Sequence, residues 1–317
     1  MYRPENPFDA CWNRIDRLSD HQDSLASIWN DYLSQEPFGT FLEDEGNGHF
    51  LLNAVQEIPL PVEFSIIFGE WLYNARACLD YIIWAAAACA CGQIPPPNEG
   101  DLGYPIFDSE SSWQKWMKKH PMLPDHQIEM LSIMQPFNSN MDANFLRVIN
   151  RLSRVDRHRR LTIGTAVLSK VDPIIEAPES SEVSFQWGNR IFKGGVVQLA
   201  KIHIKTTNPD FRPRVNPRLI IDPEIEEWQE SNFWKNVPFG DRLDKIQLFV
   251  AGEVATYEYD CLGASRKANF LTPEFKALSD ARGHASRPKV GEHLEVDWGP
   301  SNLAQRTEPT EFFQEDD

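Results

Sequence analysis

Apolar positions recur with a helical period through the first half of the chain and then switch to alternation. In residues 11–33, Trp12, Ile15, Leu18, Leu25, Ile28, Trp29 and Tyr32 fall close to one stripe, which predicts an amphipathic helix with one buried face. Gly46, Asn47 and Gly48 mark a turn, and HFLLNAVQEI before Pro59 reads as a short hairpin arm. Residues 62–92 are the most apolar stretch. Glu70, Arg76 and Asp80 interrupt it, and the charge-free part after Asp80 runs only eleven residues to Gly92. A membrane span needs about 20 apolar residues, so this segment predicts a central buried helix capped at Gly92. Asp108 or Ser109 opens a helix carrying Trp113, Trp116 and Met117. Pro124 and Asp125 open another, HQIEMLSIM, which ends at Gln135-Pro136. A last helix starts near Ala143.

From Leu161 the period becomes two. LTIGTAVLSKV, VSFQW, IFK, VVQLAKIHIKT, PRLIID and DKIQLFVAGEVATYEY read as strands, with turns at Gly188-Asn189 and Gly194-Gly195. His203, between lysines in KIHIK, is expected to face solvent. The pattern predicts an α+β fold. A bundle-like helical domain spans residues 1–160, a mostly antiparallel β domain spans 161–271, and a mobile acidic tail spans 272–317. The ten tryptophans, at helical spacing with leucine and methionine, read as core.

Charge sharpens this outline. The chain of 317 residues carries a formal net charge of -16, which disfavours DNA and anionic membranes as general partners because the summed field repels phosphate. The N-terminus has no basic region followed by an apolar core, and the five cysteines are an odd number with three on one apolar helix. These features predict reduced thiols in a cytoplasmic protein. No cofactor motif and no Cys/His metal spacing is present.

Against that acidity, RVINRLSRVDRHRR (residues 147–160) holds six arginines and one aspartate. A helical wheel puts Arg147, Arg151, Arg154 and His158 within about 60° of one another. Phe145, Val148, Ile149, Leu152 and Val155 form the opposite face, and Asp156 and Arg159 point with them. Charges on a core-facing side need partners. The expected buried polar cluster is therefore Glu70, Asn74, Arg76, Asp80, Asp156 and Arg159, with Arg76 and Asp80 pairing at i, i+4. The outer stripe has the parts of a phosphate site. Guanidinium groups bind and stabilise phosphoryl oxygens, and an imidazole exchanges protons near neutral pH.

Two resemblances follow from these residues. GEWLYNARACLDYIIW, YPIF, MQPFN and VDRHRRL, in that order, resemble a widespread group of uncharacterised bacterial proteins with a Glu…Arg…Leu-Asp helix and an Asp-Lys/Arg-His-Arg motif, over roughly residues 62–161. The group implies no activity. Arg151-x6-His158 resembles the Arg-x4–6-His pattern of HEPN ribonucleases, helical bundles that act as toxins or antiviral effectors and pair their sites across a dimer. That resemblance covers residues 1–160 and implies Arg151 as transition-state stabiliser and His158 as acid/base. Leu152 stands where those enzymes usually carry Asn, Asp or His.

Three functions are open on this reading. The first is a metal-independent endoribonuclease acting on RNA as a homodimer, with Arg151 and His158 catalytic and Arg147 and Arg154 binding anions. The second is a non-catalytic protein whose arginine stripe takes an acidic partner or subunit. The third is a small-molecule binder or enzyme with a polar pocket inside the bundle.

Overall fold

The structure, a computed structural model, describes residues 6–118, 123–158, 165–178, 180–192, 195–206, 211–235 and 237–284, and of Arg157 and His158 the backbone alone. The fold is α+β. Helix α1 (Asp9–Leu33) is followed by the hairpin β1 (Phe38–Gly46) and β2 (His49–Gln56), then by the long α2 (Val62–Cys91). Three shorter helices come next: α3 (Glu110–Met117), α4 (Asp125–Ile133) and α5 (Phe145–His158). The β region holds β3 (Thr165–Val171), β4 (Ile174–Glu176), β5 (Glu182–Trp187), β6 (Ile191–Phe192), β7 (Val196–Lys205), β8 (Arg214–Asn216) and β9 (Leu219–Glu224). It gives way to α6 (Glu226–Gln229), α7 (Phe239–Leu262) and α8 (Pro273–Arg282).

The chain divides into two compact units that do not follow sequence order. Among the described residues, one takes 6–23, 67–158 and 242–284, the other 24–66 and 165–241. The first unit is helical. Its core joins Trp12 and Ile15 of α1, Trp71 and Leu79 of α2, Leu146, Ile149 and Leu152 of α5, and Val250 and Val254 of α7, all buried. Phe145 stacks on Phe249 with ring centroids 5.1 Å apart, which fixes α5 against α7. Among the described residues no helix is long and apolar enough to cross a membrane.

The second unit holds three antiparallel sheets, ordered β1-β2-β7-β5, β6-β3-β9 and β4-β8. The hairpin at residues 38–56 thus pairs with strands far downstream, through Phe50↔Ile202 and Leu52↔Ala200. Its turn needs left-handed backbone at Gly46, Asn47 and Gly48. A Cβ on Gly48 would collide with the backbone carbonyl of Ile204, whose own N–H donates to Gly48 O at 2.8 Å. An aromatic chain through Trp29, Phe64 and Phe239, with centroid spacings of 5.7 Å, fills part of this unit's core.

Three expectations are corrected. DKIQLFVAGEVATYEY is not a strand but lies within the 24-residue α7. Its buried Leu243, Ile246, Val250, Val254, Tyr257 and Cys261 repeat at i+3 and i+4, and that period outweighs the β-branched content. The expected tail from 272 begins with a helix. Thr272 accepts a bond from the Phe275 N–H at 3.2 Å and Pro273 occupies the first turn, so capping starts α8 where apolar density is low. The rest of that tail, residues 285–317, lies outside the described residues. Third, His203 is half-buried, its ring stacked on His49 at 4.2 Å between centroids.

Candidate functional site

Asn144 starts α5: its side-chain oxygen accepts the Arg147 backbone N–H at 2.9 Å, two positions into the helix. From there the helix separates its faces as the wheel predicts. Leu146, Ile149 and Leu152 are buried, and Arg151 and Arg154 are exposed on the far side. Arg147 is half-buried, with its Nε 3.2 Å from Asp108 Oδ1 just before α3. One arginine of the stripe is therefore already neutralised by the chain. The imidazole of His158 and all of Arg159 lie outside the described residues.

Asp156 turns inward. It meets α2 at Gly69, where an added Cβ would lie 2.8 Å from the Asp156 Cγ. The absence of a side chain at Gly69 leaves the space that the Asp156 carboxylate takes against α2. Glu70, expected in a buried cluster, is instead exposed, its side chain 52 % accessible and 3.8 Å from Nδ1 of His21. One turn on, Asn74 is buried. Its amide donates to Glu70 O at 2.8 Å and lies 3.2 Å from His21 Nε2, and its oxygen accepts Arg14 Nη1 at 2.6 Å. The Arg14 guanidinium sits over the rings of Tyr73 and Tyr81. Burial, then Arg17, push the His21 imidazole below its ordinary value, with Glu70 and Asp20 opposing.

Arg76 and Asp80 pair at 2.8 Å, as their spacing predicts. Together they clamp one residue of the loop before α3. Arg76 Nη2 donates to Tyr104 O at 3.0 Å, and the Tyr104 N–H donates to Asp80 Oδ1 at 2.8 Å. The close approach of Gly103, whose added Cβ would be 3.2 Å from Asp80 Oδ1, makes this clamp possible. The expected polar cluster is therefore at least two arrangements along α2, one with α1 around Asn74 and one around Tyr104.

What the clamp positions lies on α7. The buried Tyr104 hydroxyl donates to Glu253 Oε2 at 2.6 Å. Burial pushes the Glu253 carboxyl up to about 7, against the lowering effect of that bond. Tyr257, one turn further, is also buried. Desolvation first, then the Glu253 and Asp260 charges, hold its hydroxyl well above the usual range. Two more acids follow on the same helix. Glu258 accepts Trp12 Nε1 at 2.9 Å, Asn6 Nδ2 at 2.7 Å and the Arg266 N–H at 3.1 Å. Asp260 accepts Gln127 Nε2 at 2.9 Å and Ser279 Oγ at 3.2 Å, and lies 2.8 Å from His126 Nε2.

None of these α7 carboxylates was predicted, because a strand assignment gives no reason to face Glu253 and Asp260 the same way. Their spacing of seven, on a helix, does. Chemically, Glu253 with Tyr104 is a titratable pair inside a core, whereas the Arg151 and Arg154 side chains are exposed. Among the described residues, no group of three or more His, Cys, Asp or Glu is placed to hold a metal. Comparison with protein-family models, curated proteins and solved structures finds no match to this chain.

Proposed function

We propose that this chain is a metal-independent endoribonuclease of the HEPN type, working as a homodimer on single-stranded RNA. The observation that supports it is the exposure of Arg151 and Arg154 on the α5 face opposite Leu146, Ile149 and Leu152, in a protein that is otherwise acidic. In this reading the His158 imidazole takes the proton of a ribose 2′-hydroxyl as that oxygen attacks the adjacent phosphorus, the bond from phosphorus to the 5′-oxygen breaks, and the departing oxygen takes a proton from water. Arg151 stabilises the charge on the phosphorane, and Arg154 holds a neighbouring phosphate. The products are a 2′,3′-cyclic phosphate and a 5′-hydroxyl. Purified protein in excess EDTA should release those ends from RNA, and Arg151→Ala and His158→Ala should each lower the rate at least about 100-fold. A wild type without cleavage, or a fully active His158→Ala, removes the reading. Sedimentation of wild type checks the dimer.

The Arg147–Asp108 pair favours one other reading. A carboxylate already sits on the first arginine of the stripe, so an acidic protein surface suits Arg151 and Arg154 as well. Salt-sensitive capture of an acidic partner with no RNA cleavage is its signature.

A further inference from the structure

Near the C-terminal end of α7, within the helical unit, a buried carboxylate anchors a histidine that reaches the surface. The Asp260 side chain is only 2 % accessible. Its Oδ1 accepts the Ser279 hydroxyl of α8 at 3.2 Å, and Arg282 Nη1 stands 3.7 Å from the same oxygen. Its Oδ2 accepts the Gln127 amide of α4 at 2.9 Å and lies 2.8 Å from His126 Nε2. Both oxygens are engaged, so the carboxylate has one orientation and passes it to the imidazole.

That contact decides which nitrogen of His126 carries hydrogen. A carboxylate oxygen only accepts, so Nε2 is the donor, and in the neutral ring the lone pair sits on Nδ1. Nδ1 has no partner among the described residues and is not buried, and the side chain is 29 % accessible. The other described histidine side chains lack this combination. His21 and His284 have both ring nitrogens facing a neighbour, with side chains 4 % and 0 % accessible. His49 and His203 stack on each other and have no carboxylate partner among the described residues.

We propose that His126 is a phosphoryl-accepting histidine, taking a phosphoryl group on Nδ1 from a small activated donor of the phosphoramidate class. The Nδ1 lone pair attacks phosphorus, the phosphorus–nitrogen bond of the donor breaks, and the donor nitrogen, already protonated, leaves as ammonia with that electron pair. The ring keeps its Nε2 hydrogen and becomes cationic. Asp260 faces the new charge across 2.8 Å and therefore favours the product and the transition state leading to it. Arg282, beside the other oxygen, offsets part of the charge that Asp260 would otherwise set against the incoming phosphoryl group. An unanchored imidazole reacts through either nitrogen, whereas this ring offers Nδ1 alone. Asp260 is a positioning residue here, since it acts through His126.

The test incubates the full-length chain with potassium phosphoramidate at neutral pH, removes the reagent in alkali and digests the protein. Mass spectrometry locates the phosphoryl group, and phosphorus NMR of the denatured protein tells Nδ1 from Nε2 substitution. The expected product is an acid-labile phosphohistidine at His126, substituted on Nδ1 and formed at least about tenfold faster than on N-acetylhistidine. Asp260→Asn keeps the shape and removes the charge, and should slow labelling at least about tenfold with the far-UV signal unchanged. Where that variant does not fold, the isomer and rate in the wild type decide alone. Arg151→Ala should label as the wild type does, so loss of ribonuclease activity and loss of phosphohistidine are separate results. Labelling of His126 no faster than N-acetylhistidine, substitution on its Nε2, or a folded Asp260→Asn that labels at the wild-type rate overturns the proposal.

Discussion

Glu253 shows how much a single buried acid governs. Its carboxyl is raised from the ordinary glutamate value to about 7 because burial disfavours the ionised form more than the Tyr104 bond favours it. In the unfolded chain it ionises near 4.5. Its contribution to stability is therefore complete below that pH and is lost as the pH rises through about 7. The full effect is about 3 kcal/mol. Glu253→Gln keeps an oxygen for the Tyr104 hydroxyl and removes the titration. Urea denaturation from pH 4 to pH 8 should show the wild type losing about 3 kcal/mol relative to that variant. A constant difference across the range would contradict the assignment.

At the scale of elements, the β1–β2 hairpin depends on Gly48 for two reasons. Its φ is +76°, and an added Cβ would meet the Ile204 carbonyl, part of the backbone and unable to swing aside. Gly48→Ala should cost at least about 2 kcal/mol, read from the shift of the denaturation midpoint. Helices α1 and α5 and most strands were legible from periods of 3.6 and 2, α2 from its unbroken apolar content, and of this hairpin only the β2 arm. Helix α7 was not, since Val250, Val254 and Tyr257 suit a strand and a helix equally when read a few residues at a time. The outward turn of Arg151 and Arg154 was legible from the wheel. The position of Asp156 was legible as a direction only, because it rests on Gly69, a residue whose role is space. The separation of Asn74 from Arg76 and Asp80 was not legible, since it depends on what Arg14 and Tyr104 contribute from elsewhere.

For the molecule as a whole, the helical unit draws its core from widely separated parts of the chain. Residues 1–160, the stretch whose pattern reads as a helical domain, omit α7 and α8. Without them Val250 and Val254 no longer fill the core, Tyr104 and Trp12 lose their acceptors on Glu253 and Glu258, and His126 and Gln127 lose Asp260. A 1–160 fragment should keep far-UV helical signal but lose near-UV signal and bind a hydrophobic dye. A sharp cooperative melt of that fragment would refute this. The same discontinuity bears on synthesis. Helix α7 ends about 100 residues after α5, so at roughly 5–20 residues per second a nascent chain waits roughly 5–20 s with its first helices made and their buried partners still untranslated. During that interval the apolar faces of α1, α2 and α5 are open to whatever holds nascent chains at the ribosome, and pausing of translation before residue 239 would lengthen it.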